Sequence, residues 1–196
     1  MAEWLKAHAW KACVRETVPW VRIPLPPPAI FACAWAFKMQ KSGGCPLAAG
    51  SKMATYDDQN IFAKVLRGEI PSYKVYENDH TFAFLDIMPR SPGHTLVIPK
   101  GPVRGILDIS ADAFAEVART TRTIAVAAVR AFNADGVIIQ QFSEPASGQV
   151  VLHMHMHVMP MTEGIDLLPA QTRREDPKIL EQNAAKLIAA LEEQMA

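Results

Sequence analysis

Val150-Val151-Leu152-His153-Met154-His155-Met156-His157-Val158-Met159 sets three histidines at a spacing of two, with an apolar residue in each gap. Side chains two apart share one face of an extended strand. A strand over 150–159 is therefore expected to carry His153, His155 and His157 on one side and Met154, Met156 and Val158 on the other. Such a strand presents a row of imidazole nitrogens at a single surface.

Three readings fit that row. Imidazole is a common metal ligand, and zinc requires nitrogen at about 2.0–2.1 Å. With a rise of roughly 3.3 Å per residue, the Cα atoms of the outer histidines lie about 13 Å apart, so two neighbours can share an ion only with a further ligand from elsewhere. Neutral imidazole is also a nucleophile near neutral pH. Its neighbours can bind phosphate oxygens and protonate a leaving group, as phosphoryl or nucleotidyl transfer requires. The third reading is an ordinary strand, although these three histidines are half of the six in the chain.

Working outward, the loop Ser143-Glu144-Pro145-Ala146-Ser147-Gly148-Gln149 precedes the histidine strand. Gly148 lets backbone approach a ligand, and successive N–H groups in such a turn can form an anion-binding nest. Asp86 ends an alternating stretch from His80. Its carboxylate either accepts hydrogen bonds from ribose hydroxyls or braces the following turn at Pro89. His94 opens the next strand, as a partner of the three histidines or as an edge residue. His80, beside the Asn78-Asp79 turn, is expected to be solvated.

The rest of the body reads as α+β. Asp57 or Asp58 is expected to cap a short helix carrying Ile61, Phe62, Val65 and Leu66. Strands are expected over 73–77, 80–86, 94–98 and 137–142. Ser110 caps a long helix in which Phe114, Val117, Thr121, Ile124, Ala128 and Phe132 recur at helical spacing, with Gly136 just beyond its end. Asp176-Pro177 starts a last helix with Leu180, Ala184, Leu187 and Leu191 on one face. Five strands with mostly short connections predict one mainly antiparallel sheet with flanking helices.

Composition divides the 196 residues in two. Residues 1–52 carry seven Lys or Arg against two Glu, net +5, and residues 53–196 carry thirteen basic against eighteen acidic residues, net −5. All four tryptophans, all three cysteines and the run Pro26-Pro27-Pro28 lie in the first part. No period persists there, so 1–52 is expected to be an unstructured extension. A secretory signal is a weaker reading, since the apolar run 29–37 sits behind prolines and is too short to span a bilayer. Met53 is expected to be the natural start. The odd cysteine count, with none in the body, argues against disulfide staples. An acidic body without a basic stripe argues against nucleic acid as a partner, and Arg173-Arg174 reads as an exposed loop pair. The expected division is the extension 1–52, a domain over 53–168, and a loop and helix over 169–196 packed on it.

The chain resembles the histidine triad (HIT) family, whose signature is His-apolar-His-apolar-His-apolar-apolar. The likeness runs from about Asn60 to Pro160 through Ile61-Phe62-Ala63-Lys64, Arg67-Gly68-Glu69-Ile70-Pro71, Phe84-Leu85-Asp86-Ile87-Met88-Pro89 and Gly93-His94-Thr95-Leu96-Val97-Ile98-Pro99-Lys100. These blocks are similar to the nucleotide-binding branch. The resemblance implies a five-stranded antiparallel sheet with helices, paired as a homodimer. It also implies attack by His155 on the α-phosphate of a purine nucleotide derivative, giving a nucleotidyl-histidine that water hydrolyses. His157 would contact phosphate and assist the leaving group, and His153 would orient the nucleophile through a hydrogen-bond chain joined by His94. Asp86 would hold the ribose, Ile87 and Leu96 would flank the base, and Gly148, Gln149 and Val150 would line the phosphate. Ser143 stands where many relatives have Asn and Val150 where some have a hydroxyl. The cysteines that bind zinc in some relatives are missing from the body. Catalysis without a metal or other cofactor is therefore expected, in a cytoplasmic protein with no membrane association. The rivals are a dinucleoside polyphosphate hydrolase, a non-catalytic nucleotide-binding or scaffold protein, and a metal-dependent hydrolase.

Overall fold

A computed structural model of the chain describes residues 55–170 and 173–196. The expected extension over 1–52 and the expected start at Met53 lie outside the described residues. Helix α1 (Ile61–Leu66) begins where the Asn60 side chain accepts the N–H groups of Phe62 and Ala63, each at 3.0 Å. The expected cap was Asp57 or Asp58. Asp57 instead takes the N–H of Gln59, closing a turn before the helix. Strands β1 (Lys74–Glu77) and β2 (Thr81–Leu85) follow. In the turn between them, Asn78 Oδ1 accepts from the N–H groups of His80 and Thr81 at 2.9 and 2.7 Å. His80 itself is exposed.

After β3 (Thr95–Pro99) comes helix α2 (Ala111–Ala131), capped by Ser110 as expected. Gly136, just beyond the end of that helix, opens β4 (Gly136–Gln141). The left-handed residue after the helix is Asn133, at φ +47°. A single 3₁₀ turn (Pro145–Ser147) leads to β5 (Met156–Met161), and α3 (Pro177–Met195) starts on the Asp176 cap. Every pairing in the sheet β1-β2-β3-β5-β4 is antiparallel.

One sheet face, with Ala83, Leu85, Val97 and Val158, packs under α2 through Val117, Ile124 and Ala128 and under α3 through Leu180, Leu187 and Leu191. On the other face, register lines up Phe84, Leu96, His157 and Gln140 across four strands. There α1 lays Phe62 and Val65 against Phe82, Phe84, Leu96 and Ile98. The sheet thus has a helix-covered side and a side on which one short helix leaves room.

The expected strand over 150–159 is corrected at its start, because pairing begins only at Met156. Pro99 ends β3 without an N–H to offer, and its carbonyl is engaged by the His153 ring at 3.0 Å. The N–H of Met154 turns to the carbonyl of Val103 at 2.8 Å. Inward and outward alternation survives: Met154 is fully buried in the helix-covered core, and Met156 packs against it. Gly93, at φ +79°, closes the turn before His94. A Cβ there would lie 2.1 Å from the Phe132 ring, so close packing and backbone conformation both require glycine. No helix among the described residues is long and apolar enough to cross a membrane.

Candidate active site

The open face of the sheet forms a cavity of about 430 Å³. Its apolar wall includes Ile61, Val65, Phe84, Ile87 and Leu96, and its polar wall includes Asp86, His94, His155 and His157, with Gly148 and Val150 at the rim. An apolar pocket with a few convergent polar groups is the usual form of a small-molecule site.

Hydrogen-bond partners fix the protonation of each imidazole, because a carbonyl can only accept. His155 Nδ1–H donates to the carbonyl of His153 at 2.7 Å, which leaves Nε2 of His155 as a lone pair. His153 donates Nε2–H to the carbonyl of Pro99, so its Nδ1 accepts from the Tyr56 hydroxyl at 2.5 Å. His94 Nδ1 accepts the N–H of Arg90 at 3.2 Å; its Nε2–H then donates to Nδ1 of His157 at 3.0 Å. His157 is left with Nε2–H as a donor. The outcome is a nucleophilic nitrogen on His155 next to a donor on His157, with ring centroids 4.9 Å apart.

Phe62 holds this row from α1, standing edge-on to His153 and His155 with centroids 6.2 and 5.2 Å away. His153 is fully buried and His155 nearly so, whereas His157 keeps partial access. Burial is the main reason the four imidazoles of the site, His94, His153, His155 and His157, resist protonation. It brings His94 down to about 3, with the charges of His157, Arg90 and His155 adding to the effect. His153 falls to about 4, although its bond to Pro99 opposes the shift. His157 also falls to about 4, with His155 and Arg90 contributing. For His155 burial again lowers the value, against its bond to the His153 carbonyl. Burial raises the Asp86 carboxyl, and the Met88 N–H that Oδ1 accepts at 2.9 Å pulls the other way.

Among the described residues, Asp86, His94 and His157 form one group whose potential metal-ligand atoms lie within 4.8 Å of one another. Both nitrogens of His94 are already committed, to the N–H of Arg90 and to His157. A cation would have to displace the proton between the two rings. Asp86 Oδ2 is 3.6 Å from His94 Nδ1, a separation without charge pairing while the imidazole is neutral.

Most of the residues singled out in the sequence meet at this cavity: Asp86, Ile87, His94, Leu96, Gly148, Val150, His155 and His157. His153 stands behind it and supports His155. Ser143 and Gln149 are placed differently from the expectation and do not belong to the lining. Ser143 Oγ accepts the N–H of Ile106 at 2.8 Å. Gln149 is buried, its Nε2 donating to the carbonyls of Arg104 and Val151 at 2.7 and 3.0 Å. Sequence reading did not find Tyr56, Arg90 or Phe142. The Phe142 ring meets His157 edge-on at 5.7 Å, and Arg90 lines the cavity while its Nε–H donates to the Leu168 carbonyl at 2.9 Å. Tyr56 is 97 residues from His153, and no local pattern joins them.

Solved structures of known proteins share this fold. A HIT domain model matches residues 67–164. A crystal structure of a Hit-like protein involved in cell-cycle regulation from Bartonella henselae superposes with a TM-score of 0.67 at 49% identity, covering 70% of this chain and 99% of that one. A hypothetical histidine triad nucleotide-binding protein from Sulfolobus tokodaii gives 0.62 at 29% identity, over 67% of this chain and 91% of its own. The Arabidopsis thaliana adenylylsulfatase HINT3 is 30% identical over 138 residues, 70% of each chain.

Proposed function

Because the chain belongs to the histidine triad family, we propose that it is a nucleotide hydrolase or nucleotidyl transferase acting at the α-phosphate of purine nucleoside monophosphate derivatives. The observation that carries this reading is the tethered Nδ1–H of His155, which leaves Nε2 unprotonated in a ring that lines the cavity. Nε2 attacks phosphorus and forms a P–N bond while the bond to the leaving group breaks. The negative phosphate favours uptake of one proton by the hydrogen-bonded pair of His94 and His157, and Nε2–H of His157 gives the leaving nitrogen or oxygen its proton. Water then attacks phosphorus, returns a proton to His157, and releases the nucleoside monophosphate and free His155.

The apolar wall supplies area for a base, and Asp86 supplies acceptors for ribose hydroxyls. The relative named as an adenylylsulfatase supports an adenylyl group as the transferred unit. Phosphoramidates and mixed anhydrides share the requirement for a leaving group on the α-phosphate. Chelators are expected to leave turnover unchanged, because both nitrogens of His94 are used in hydrogen bonds. The reading includes a cytoplasmic homodimer. β4 is an edge strand of the sheet, with Val137 and Ile139 36% and 45% exposed, and this supports pairing with a second copy.

The test is intact-mass measurement after brief exposure to an adenosine phosphoramidate. A transient gain of one adenylyl group in wild type and none in His155→Ala is expected. Turnover with no adduct in rapid-quench samples, or an adduct that persists in His155→Ala, would sink the assignment.

A further inference from the structure

Glu144 is the one position in the loop over 143–149 where a residue other than glycine has a positive φ, at φ +71° and ψ 156°. That region is essentially reserved for glycine. A side chain kept there needs a compensating contact, and Glu144 has one. Its two carboxylate oxygens receive Nε–H and Nη2–H of Arg104 at 2.6 and 2.8 Å, a two-point pair in which the arginine is only 8% exposed. Two further bonds tie the same loop to the segment 104–106. Ser143 Oγ accepts the N–H of Ile106, and Gln149 Nε2 donates to the carbonyl of Arg104. Gln149 Oε1 in turn accepts the N–H of Glu144 at 2.6 Å. Gly105 leaves room for the contact, since a Cβ there would sit 2.6 Å from Ser143 Oγ.

Three side chains of one loop therefore bond to Arg104 and Ile106, some 40 positions earlier. The loop over 143–149 contains Gly148 and runs directly into Val150, and both share the cavity with His155 and His157. We infer that Arg104 and Glu144 are positioning residues: their ion pair clamps the 143–149 loop in the shape that places Gly148 and the N–H of Val150 at the phosphate of the bound ligand. This rests on the reading of the cavity as a nucleotide site. Neither side chain lines the cavity, so the pair acts on phosphate affinity through the loop and leaves the base and ribose walls untouched.

The experiment is calorimetric titration of the full chain with AMP and, separately, with adenosine, which fills the same walls but has no phosphate. Glu144→Gly suits the backbone and removes the clamp. It is expected to weaken AMP on the order of tenfold to a hundredfold, with adenosine unchanged. Arg104→Ala is expected to show the same ligand selectivity, and Arg104→Lys, which keeps the charge on one donor, to recover part of the AMP affinity. Should Arg104→Ala fail to fold, Glu144→Gln reads the same difference. AMP bound by Glu144→Gly as tightly as by wild type would overturn the inference, as would equal losses for both ligands. Wild-type protein that binds neither ligand would overturn the nucleotide reading itself, and the inference with it.

Discussion

His155 Nδ1 lies 2.7 Å from the backbone oxygen of His153, so one member of the histidine row fixes the tautomer of the next through the main chain. The carbonyl cannot donate, and the nitrogen facing the cavity therefore carries the lone pair. Replacing His155 by Ala removes the nucleophile and should lower turnover of a phosphoramidate on the order of a thousandfold or more. AMP affinity should stay within about threefold, since the base and ribose walls do not involve this ring. Steady-state kinetics and calorimetry on the same preparation check both halves, and retained turnover would reassign the nucleophile.

Tyr56 reaches the row from the other side, donating its hydroxyl to the buried Nδ1 of His153. Tyr56→Phe leaves that acceptor without a partner in an environment closed to water, which should cost about 1–2 kcal/mol of stability. Turnover should fall only a few-fold, because the Pro99 carbonyl still holds the other nitrogen of the ring. Urea denaturation of wild type and variant measures the first effect. An unchanged midpoint and slope would mean that the bond adds nothing net.

Acid should destabilise the fold through these same rings. His153 and His157 are held down to about 4 and His94 to about 3 from an ordinary value of 6.5, so between those limits the unfolded chain binds protons that the folded chain refuses. The stabilisation is complete above pH 6.5, and it is lost as pH falls through that value toward 4. Each histidine protonated only in the unfolded chain contributes a slope of about 1.4 kcal/mol per pH unit at most. Unfolding free energies measured at pH 7, 6 and 5 should therefore drop progressively more steeply. A flat profile over that range would show that the rings are protonated in the folded state.

The alternation of histidine with apolar residues was enough to assign opposite faces, and the structure keeps that assignment even where the ladder is absent. Periodicity reports which way a side chain points, not whether a neighbouring strand is there to pair with. Pro99 ends the partner strand, so Val150 to His155 run unpaired beside it. The short helix shows a similar limit. Asp57, Asp58 and Asn60 are all good capping residues, and only the path of the backbone decides that Asn60 faces the free N–H groups. The caps at Ser110 and Asp176 each stand immediately before the first residue of their helix and were legible. What the sequence concealed most fully were contacts between distant segments, namely Tyr56 on His153 and Arg104 on Glu144. Gln149, expected at the phosphate, is instead spent inside the loop that Arg104 anchors, because its amide satisfies buried carbonyls.

Asp86 supports the most specific expectation about ligand choice. One carboxylate oxygen is engaged by the N–H of Met88, and the residue lines the cavity, which leaves acceptor capacity for vicinal hydroxyls. Asp86→Asn keeps an acceptor for Met88 and swaps the other oxygen for a donor, so the local turn should persist while the ribose contact is lost. AMP affinity should drop about tenfold, as expected for losing a charge-assisted hydrogen bond. The 2′,3′-dideoxy analogue has no hydroxyl for the carboxylate to accept and should bind both proteins alike. Burial raises the Asp86 carboxyl, so mild acid should move the wild type toward the behaviour of the variant as that group takes up a proton. Equal loss of both ligands in Asp86→Asn would assign Asp86 to bracing the turn before Pro89, with no part in reading the sugar.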